Sequence, residues 1–192
     1  MEDHEIDALE LSEQRGLDWD EDHRAIRLFG DVNNQLAFTI WQALAQLQYE
    51  DPTAPITIFL NSAGGDIASM LSTVDAIQLC ECPIKIIGTG IVMSAAVPIL
   101  ACCKPGHRFL TPRCRLMLHP PRVGLSGIQK NVENAHREMK LLHKMYKDIL
   151  IQTTKMTPDV VDKYVDNMED RYFGPQQAVK LGIADSILRR LP

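Results

Sequence analysis

Residues 55–65 read PITIFLNSAGG, a short apolar run that passes directly into small and polar residues. A run of this length with β-branched members is typical of a buried strand in a parallel sheet. Apolar residues then recur at helical spacing from Asp66 to Leu79. The stretch therefore predicts one strand–loop–helix unit of an α/β fold.

The same succession occurs on both sides of this unit. Strands are predicted at residues 24–29, 55–60, 83–87 and 114–118. A helix capped by Asn33 or Asn34 follows the first strand, and its apolar stripe includes Leu36, Ile40, Ala43, Leu44 and Leu47. A loop at Gly88–Gly90 and then a helix from Ser94 to Leu100 follow the third strand. Strand–helix units in succession imply right-handed crossovers and a mainly parallel sheet.

A long amphipathic helix is predicted in the carboxyl-terminal half. Apolar residues from Ile128 to Ile149 recur at alternating steps of four and three, so a helix over Ile128–Leu150 would be about 34 Å long. A small domain cannot readily bury so long a stripe, so we expect part of it to meet another subunit in a coiled-coil-like seam. The alternative is a long helix lying across its own core. Shorter helices are predicted to open at Thr157-Pro158 and to end at Gly182.

Composition and charge narrow the class of protein. The chain has 192 residues and a net charge of −5, which fits one domain and argues against a nucleic-acid binder. Residues 1–22 hold ten acidic residues and one arginine, a net charge of −9. We expect an acidic, mobile arm over residues 1–22 and a folded domain over residues 23–192. Without a signal-peptide pattern or a run of roughly 18 apolar residues, a cytoplasmic protein with no membrane contact is expected.

The five cysteines indicate buried, inert thiols. They form no CxxC pair and are odd in number, and the adjacent Cys102 and Cys103 are awkwardly placed for joint metal ligation. No metal site is therefore predicted.

Three features lie just past the carboxyl ends of predicted parallel strands: the Gly64-Gly65 loop, Ser94 and His119. Open α/β sheets bind their ligands at that edge. A serine nucleophile needs a base for its proton and donors for the oxyanion, and these residues can supply all three parts. Each also has a plainer interpretation, as a turn, a helix cap and a structural histidine. No G-x-S-x-G is present, so an α/β-hydrolase elbow is not indicated.

A carboxylate is needed to orient the histidine, and the sequence pattern leaves its identity open. The candidates are Asp159, Asp162, Asp166, Asp170 and Asp185.

Across residues 24–188 the chain resembles the proteolytic subunit of the Clp protease, the ClpP family of serine peptidases. The matching strings are FLNSAGG at residues 59–65, GIVMS at 90–94, RLMLHP at 115–120, DRYF at 170–173, QAV at 177–179 and LGIAD at 181–185. Their order and spacing agree along nearly the whole chain.

The resemblance implies an α/β fold of the ClpP/crotonase-like kind, with repeated β-β-α/β-α units and a long protruding handle helix in a region at about residues 123–156. It places the nucleophile on Ser94, the base on His119 and the orienting acid on Asp170. The oxyanion donors would be the backbone N–H groups of Gly65 and Ala95. The implied function is a self-compartmentalised serine endopeptidase that cleaves unfolded proteins or peptides.

The resemblance also implies partners. Strands near Ile67-Ala68 and Gly124-Leu125 would hold an extended substrate peptide by β-augmentation. Copies of the chain would form heptameric rings, two of which stack into a tetradecamer. A separate Clp ATPase unfoldase would deliver substrate, because this chain has no G-x-x-x-x-G-K-[ST]. No cofactor is expected.

The chain departs from the family pattern in several places. Ala63 replaces a proline, Ala95 and Ala96 replace methionine and glycine, and Gln177 replaces a glutamate. Pro98 is acceptable if its helix begins near Ala95, because the first N–H groups of a helix have no intrahelical partner. The acidic arm replaces an apolar gating stretch, so we expect it to splay outward or to gate differently.

Three other functions stay open on the sequence alone. They are a non-catalytic ring subunit or scaffold, a dedicated peptidase of the phage or signal-peptide type, and an enoyl-CoA hydratase of the same fold. The last would use the paired backbone donors without a serine nucleophile.

Overall fold

A mainly parallel sheet forms the centre of the molecule, as the strand–helix succession predicts. The structure, a computed structural model, describes residues 17–20, 23–121, 128–167 and 169–190. Its strands are β1 Leu17–Asp20, β2 Ala25–Phe29, β3 Ile56–Ser62, β4 Ile84–Met93, β5 Arg108–Leu110, β6 Arg115–Leu118, β7 Arg171–Phe173 and β8 Ser186–Ile187. Its helices are α1 Asn34–Glu50, α2 Ile67–Leu79, α3 Ala96–Ala101, α4 Gln129–Thr153, α5 Pro158–Val165 and α6 Pro175–Leu181.

The sheet branches at β4. Its main path runs β1-β2-β3-β4-β5-β8, and β6 leaves this path by pairing with β4. The first half of β4 pairs with β5 through Ile86–Gly88, and its second half pairs with β6 through Ile91–Met93. β1 and β7 are antiparallel to their neighbours, and the other pairs are parallel. The branch places the carboxyl ends of β4 and β6 beside the start of β7.

The loop predicted at Gly88–Gly90 is wrong, because β4 continues to Met93. A Cβ on Gly88 would lie 2.7 Å from the side chain of Leu110, so a larger residue at position 88 would require that side chain to move. Gly90 has a φ of +57°, and the side chain of Asn61 accepts a hydrogen bond from the next N–H, that of Ile91, at 3.0 Å. The glycines thus form an irregularity within a strand, where the register to β3 shifts.

The apolar stripe predicted for the first helix is confirmed. Its members Leu36, Ile40, Ala43, Leu44 and Leu47 are all buried on α1. Asn33 caps this helix, since its side chain accepts a hydrogen bond from the N–H of Leu36 at 2.9 Å. Pro98 lies at the third residue of α3, where its missing N–H costs no intrahelical hydrogen bond.

The long helix α4 is buried only near its carboxyl end. Of its residues, all of which the structure describes, Tyr146 and Leu150 are buried. Ile128, the first residue of the predicted stripe, is 70% exposed and Met139 is half-buried, so the stripe is only partly covered by its own chain. Leu141 and Met145, which the stripe does not include, are 51% and 41% exposed. An intersubunit seam along this helix stays a prediction.

Residues 17–20 of the predicted acidic arm form β1, which pairs antiparallel with β2 from Leu17↔Leu28 to Asp20↔Ala25. The rest of the arm, residues 1–16 and 21–22, lies outside the described residues. Among the helices described, none has the length and apolar character needed to cross a bilayer.

Candidate active site

Ser94 lies at the junction of β4 and α3, in an unusual backbone conformation. Its φ is +52°, a region that residues with side chains rarely adopt. Two hydrogen bonds hold the junction: the N–H of Ser94 donates to the carbonyl of Met117 at 2.8 Å, and the N–H of Val97 donates to the carbonyl of Ser94 at 3.0 Å. Such conformations cluster at functional sites, where the surroundings enforce them.

His119 comes directly after β6, the parallel neighbour of β4. Because Met93 pairs with Met117, the residues that follow both strands reach the same sheet edge. The Nε2 atom of His119 lies 2.8 Å from the Oγ atom of Ser94. This is hydrogen-bond distance, so the imidazole can accept the hydroxyl proton.

Asp170 comes directly before β7, which pairs antiparallel with β6 through Leu118↔Arg171. Its Oδ1 atom lies 3.9 Å from the Nδ1 atom of His119. This is the distance of an ion pair and longer than a direct hydrogen bond, as is common in catalytic sites without substrate. The structure therefore brings Ser94, His119 and Asp170 together at one edge.

The loop after β3 packs its backbone against Ser94. Gly64 and Gly65 have φ angles of +96° and +151°. A Cβ on Gly64 would lie 2.7 Å from the carbonyl oxygen of Met93 and 2.9 Å from the nitrogen of Ala95, and a Cβ on Gly65 would lie 2.2 Å from the carbonyl oxygen of Val32. Both positions therefore require glycine. The backbone carrying the two expected oxyanion donors, Gly65 and Ala95, lies in one small region beside the serine.

A pocket of about 330 Å³ opens beside Ser94 and His119. The loop after β3, α2, the segment after β6, and α4 together form its walls. The other lining residues are Ala63, Gly65, Asp66, Ile67, Pro121, Met139 and Leu142. From the sequence, Met139 and Leu142 are predicted only as members of the apolar stripe. Their spacing on α4 was the available signal that they share a face.

The strand predicted near Ile67-Ala68 is wrong, because these residues begin α2. Asp66 caps the helix there, its side chain accepting a hydrogen bond from the N–H of Ser69 at 2.7 Å. Ile67 does line the pocket, whereas Ala68 is exposed and does not. The other predicted substrate-binding residues, Gly124 and Leu125, lie outside the described residues.

All five cysteines are free thiols, and the four that are buried are Cys82, Cys102, Cys103 and Cys114. Burial raises the pKa of the half-buried Cys80 to about 11 and that of Cys114 to about 12. Within the described ranges, no three His, Cys, Asp or Glu residues are grouped so that they could hold a metal ion.

Comparison with known proteins agrees with this architecture. The sequence model of the Clp protease family matches residues 20–190. Among solved structures, the chain is similar to a point mutant of ClpP1 from Listeria monocytogenes, with 26% sequence identity and a TM-score of 0.79. That similarity covers 88% of this chain and 94% of that one. The resemblance seen in the sequence is thereby confirmed, and the chain belongs to the Clp protease family.

Proposed function

We propose that this chain is the peptidase subunit of a self-compartmentalised serine endopeptidase. Ser94 is the nucleophile, His119 the general base and Asp170 the acid that orients the histidine. The observation that carries the proposal is the 2.8 Å contact between the Nε2 atom of His119 and the Oγ atom of Ser94. It joins residues from two strand ends beside an open pocket, which a mere helix cap would not require.

The proposed reaction follows from this geometry. The Oγ atom of Ser94 attacks the peptide carbonyl carbon while its proton moves to the Nε2 atom of His119. The N–H groups of Gly65 and Ala95 bind the oxyanion, and the imidazolium then protonates the leaving amine. Water then attacks the acyl-enzyme while His119 takes its proton, and His119 returns that proton to the Oγ atom of Ser94 as the acid product leaves. Asp170 stabilises the imidazolium, and we expect its 3.9 Å separation from His119 to shorten when substrate binds.

The pocket suggests a preference in the substrate. Ile67, Met139 and Leu142 present apolar side chains beside Ser94, in a volume of about 330 Å³. That space suits one large side chain of an extended peptide. We expect cleavage after apolar residues.

Assembly would explain the uncovered part of α4. Its exposed Leu141 and Met145 would pack against another copy of the chain, closing a chamber of stacked rings. A folded protein cannot thread an extended segment into such a chamber, so a separate ATP-dependent unfoldase would deliver the substrate.

The proposal is tested by measuring hydrolysis of an unfolded protein and of short apolar peptides, with the particle mass determined in parallel. Wild type should cleave, Ser94→Ala should not, and the matched control Ser186→Ala, an exposed serine on β8, should cleave like wild type. An assembled wild-type particle that cleaves neither substrate would overturn the proposal and favour a non-catalytic ring subunit. Equal cleavage by wild type and Ser94→Ala would overturn the role of Ser94.

A further inference from the structure

Tyr146 connects the long helix α4 to the main chain of Ser94. Its hydroxyl donates a hydrogen bond to the carbonyl oxygen of Ser94 at 3.2 Å. The tyrosine is 5% exposed and is one of two buried residues on α4, all of which the structure describes. The same carbonyl accepts a second hydrogen bond from the N–H of Val97, at 3.0 Å.

The carbonyl of Ser94 and the N–H of Ala95 belong to one peptide unit. That unit is planar, so the direction of the carbonyl fixes the direction of the N–H. The neighbouring φ of Ser94 is +52°, and a conformation of this kind persists only where its surroundings hold it. The groups that donate hydrogen bonds to the carbonyl of Ser94 therefore also fix the direction of the N–H of Ala95.

We infer that Tyr146 is a positioning residue for the oxyanion hole: its hydroxyl holds the Ser94–Ala95 peptide unit so that the N–H of Ala95 faces the developing oxyanion. The inference rests on the proposed function, in which that N–H is one of the two donors. Catalysis by such donors depends on their being aimed before the reaction begins.

The surroundings of Tyr146 keep its hydroxyl in place. The ring of His143 stacks on it, with 6.4 Å between ring centroids and 16° between planes. His143 is itself held by Asp166, whose Oδ1 atom lies 2.7 Å from its Nε2 atom. Asp166 also accepts a hydrogen bond from Lys147 at 2.7 Å. Burial raises the pKa of Tyr146, so the hydroxyl keeps its proton and stays a donor.

Tyr146→Phe isolates this role, because it removes the hydroxyl and keeps the ring that packs on His143. The Ser94 carbonyl retains the hydrogen bond from Val97, so the change leaves no buried carbonyl without a donor. We therefore expect the variant to fold and to assemble like wild type. A variant that fails to assemble would contradict the inference, which assigns the hydroxyl no part in folding.

The test compares wild type, Tyr146→Phe and the control Tyr164→Phe in the full-length protein. Tyr164 is half-buried on α5, and its hydroxyl accepts a hydrogen bond from Gln177, away from Ser94. For each protein, kcat and KM are measured with an apolar peptide, together with the affinity for a peptide boronate. The boronate forms a tetrahedral adduct with a catalytic serine, so it makes full use of the oxyanion donors. A peptide bound in its ground state uses these donors only in part.

Tyr146→Phe should lower kcat about 10-fold and weaken the boronate by a similar factor, with KM changed less than about twofold. Tyr164→Phe should leave all three values near those of wild type. Equal kcat and boronate affinity in wild type and Tyr146→Phe would overturn the inference, as would a rise in KM with kcat unchanged. An assembled wild type that neither cleaves peptide nor binds the boronate would instead refute the proposed function, and the inference with it.

Discussion

Gly64 lies so close to Ser94 that a Cβ on residue 64 would come within 2.7 Å of the Cβ of Ser94. The same atom would lie 2.9 Å from the nitrogen of Ala95. Gly64→Ala must therefore push the Ser94–Ala95 backbone out of place, and a shift of about an ångström at a reacting group costs about 100-fold in rate. We expect peptide hydrolysis to fall at least about 100-fold while circular dichroism shows the fold retained.

Gly106→Ala is the matched control for this change. Gly106 has a φ of +91°, similar to the +96° of Gly64, but a Cβ there would meet nothing within 4 Å. Gly106→Ala therefore introduces the same kind of backbone strain as Gly64→Ala but no steric clash. If Gly64→Ala hydrolysed peptide as fast as Gly106→Ala, the packing of the loop against Ser94 would not matter to function.

Asp170→Asn should lower kcat and leave KM nearly unchanged. An amide at this position cannot stabilise the imidazolium of His119, and it favours the wrong tautomer of the ring. The expected loss is about 100- to 10,000-fold, by analogy with the serine-protease triad. Steady-state kinetics with an apolar peptide measures it.

Asp159→Asn, on the exposed first turn of α5, provides the comparison and should behave like wild type. An Asp170→Asn enzyme within about threefold of the wild-type kcat would show that another group orients His119.

Local patterns in the sequence predicted the repeated units well. The stripe on α1, the strand before Asn61 and the helix after Asp66 each depend on residues close together in the chain, so periodicity reveals them. The strands β5, β7 and β8 have two or three residues each, too few to show an alternating pattern. They are strands only because distant segments pair with them.

The residues of the candidate site could likewise be predicted only in part from the sequence. Ser94 and His119 follow predicted strands, so their meeting could be anticipated from a parallel sheet. Asp170 could not be chosen among the aspartates by periodicity, because its place depends on the antiparallel pairing of β7 with β6. The hydroxyl of Tyr146 gave no signal, since its ring fits the apolar stripe.

The ion pair between Arg108 and Asp185 should stabilise the fold. The Nη2 atom of Arg108 lies 2.6 Å from the Oδ1 atom of Asp185, and the arginine side chain is 6% exposed. The N–H groups of Gly106 and Arg108 also donate to the Oδ2 atom of this carboxylate. Asp185→Asn leaves a buried guanidinium without its counter-charge, so the free energy of unfolding at pH 7 should fall by about 3 kcal/mol. Chemical denaturation measures the change.

The stability lost in Asp185→Asn should become smaller as the pH falls. Burial raises the pKa of Asp185, but the hydrogen bonds and charge of Arg108 lower it more, so the pKa lies below the ordinary value of 3.8. A group of this kind contributes its stabilisation above the ordinary pKa and loses it as the pH falls through the folded-state pKa. The difference in free energy of unfolding between wild type and Asp185→Asn should be constant near neutral pH and shrink below about pH 4.

Asp148→Asn, in the exposed pair with Lys144, is the control and should lower the free energy of unfolding by less than about 0.5 kcal/mol. A difference between wild type and Asp185→Asn that stayed constant down to pH 2, about two units below the ordinary carboxyl pKa, would contradict the pairing.

The thiols should react slowly in the folded protein. Burial raises the pKa of Cys80 and Cys103 to about 11, so few thiolates are present at neutral pH. We expect reaction with an aromatic disulfide reagent at pH 7.5 to be at least about 100-fold slower than in guanidinium chloride. A rapid phase of one or more thiols in the folded protein would show that a cysteine is activated.

The most direct test of the proposed mechanism is the site of covalent labelling by a fluorophosphonate, mapped by peptide mass in an assembled particle. An activated serine beside a base is the group that such a probe modifies. We predict one adduct, on Ser94, which is absent in Ser94→Ala and nearly absent in His119→Ala. An adduct on another residue, no adduct at all, or equal labelling of His119→Ala and wild type would contradict the claim that His119 activates Ser94.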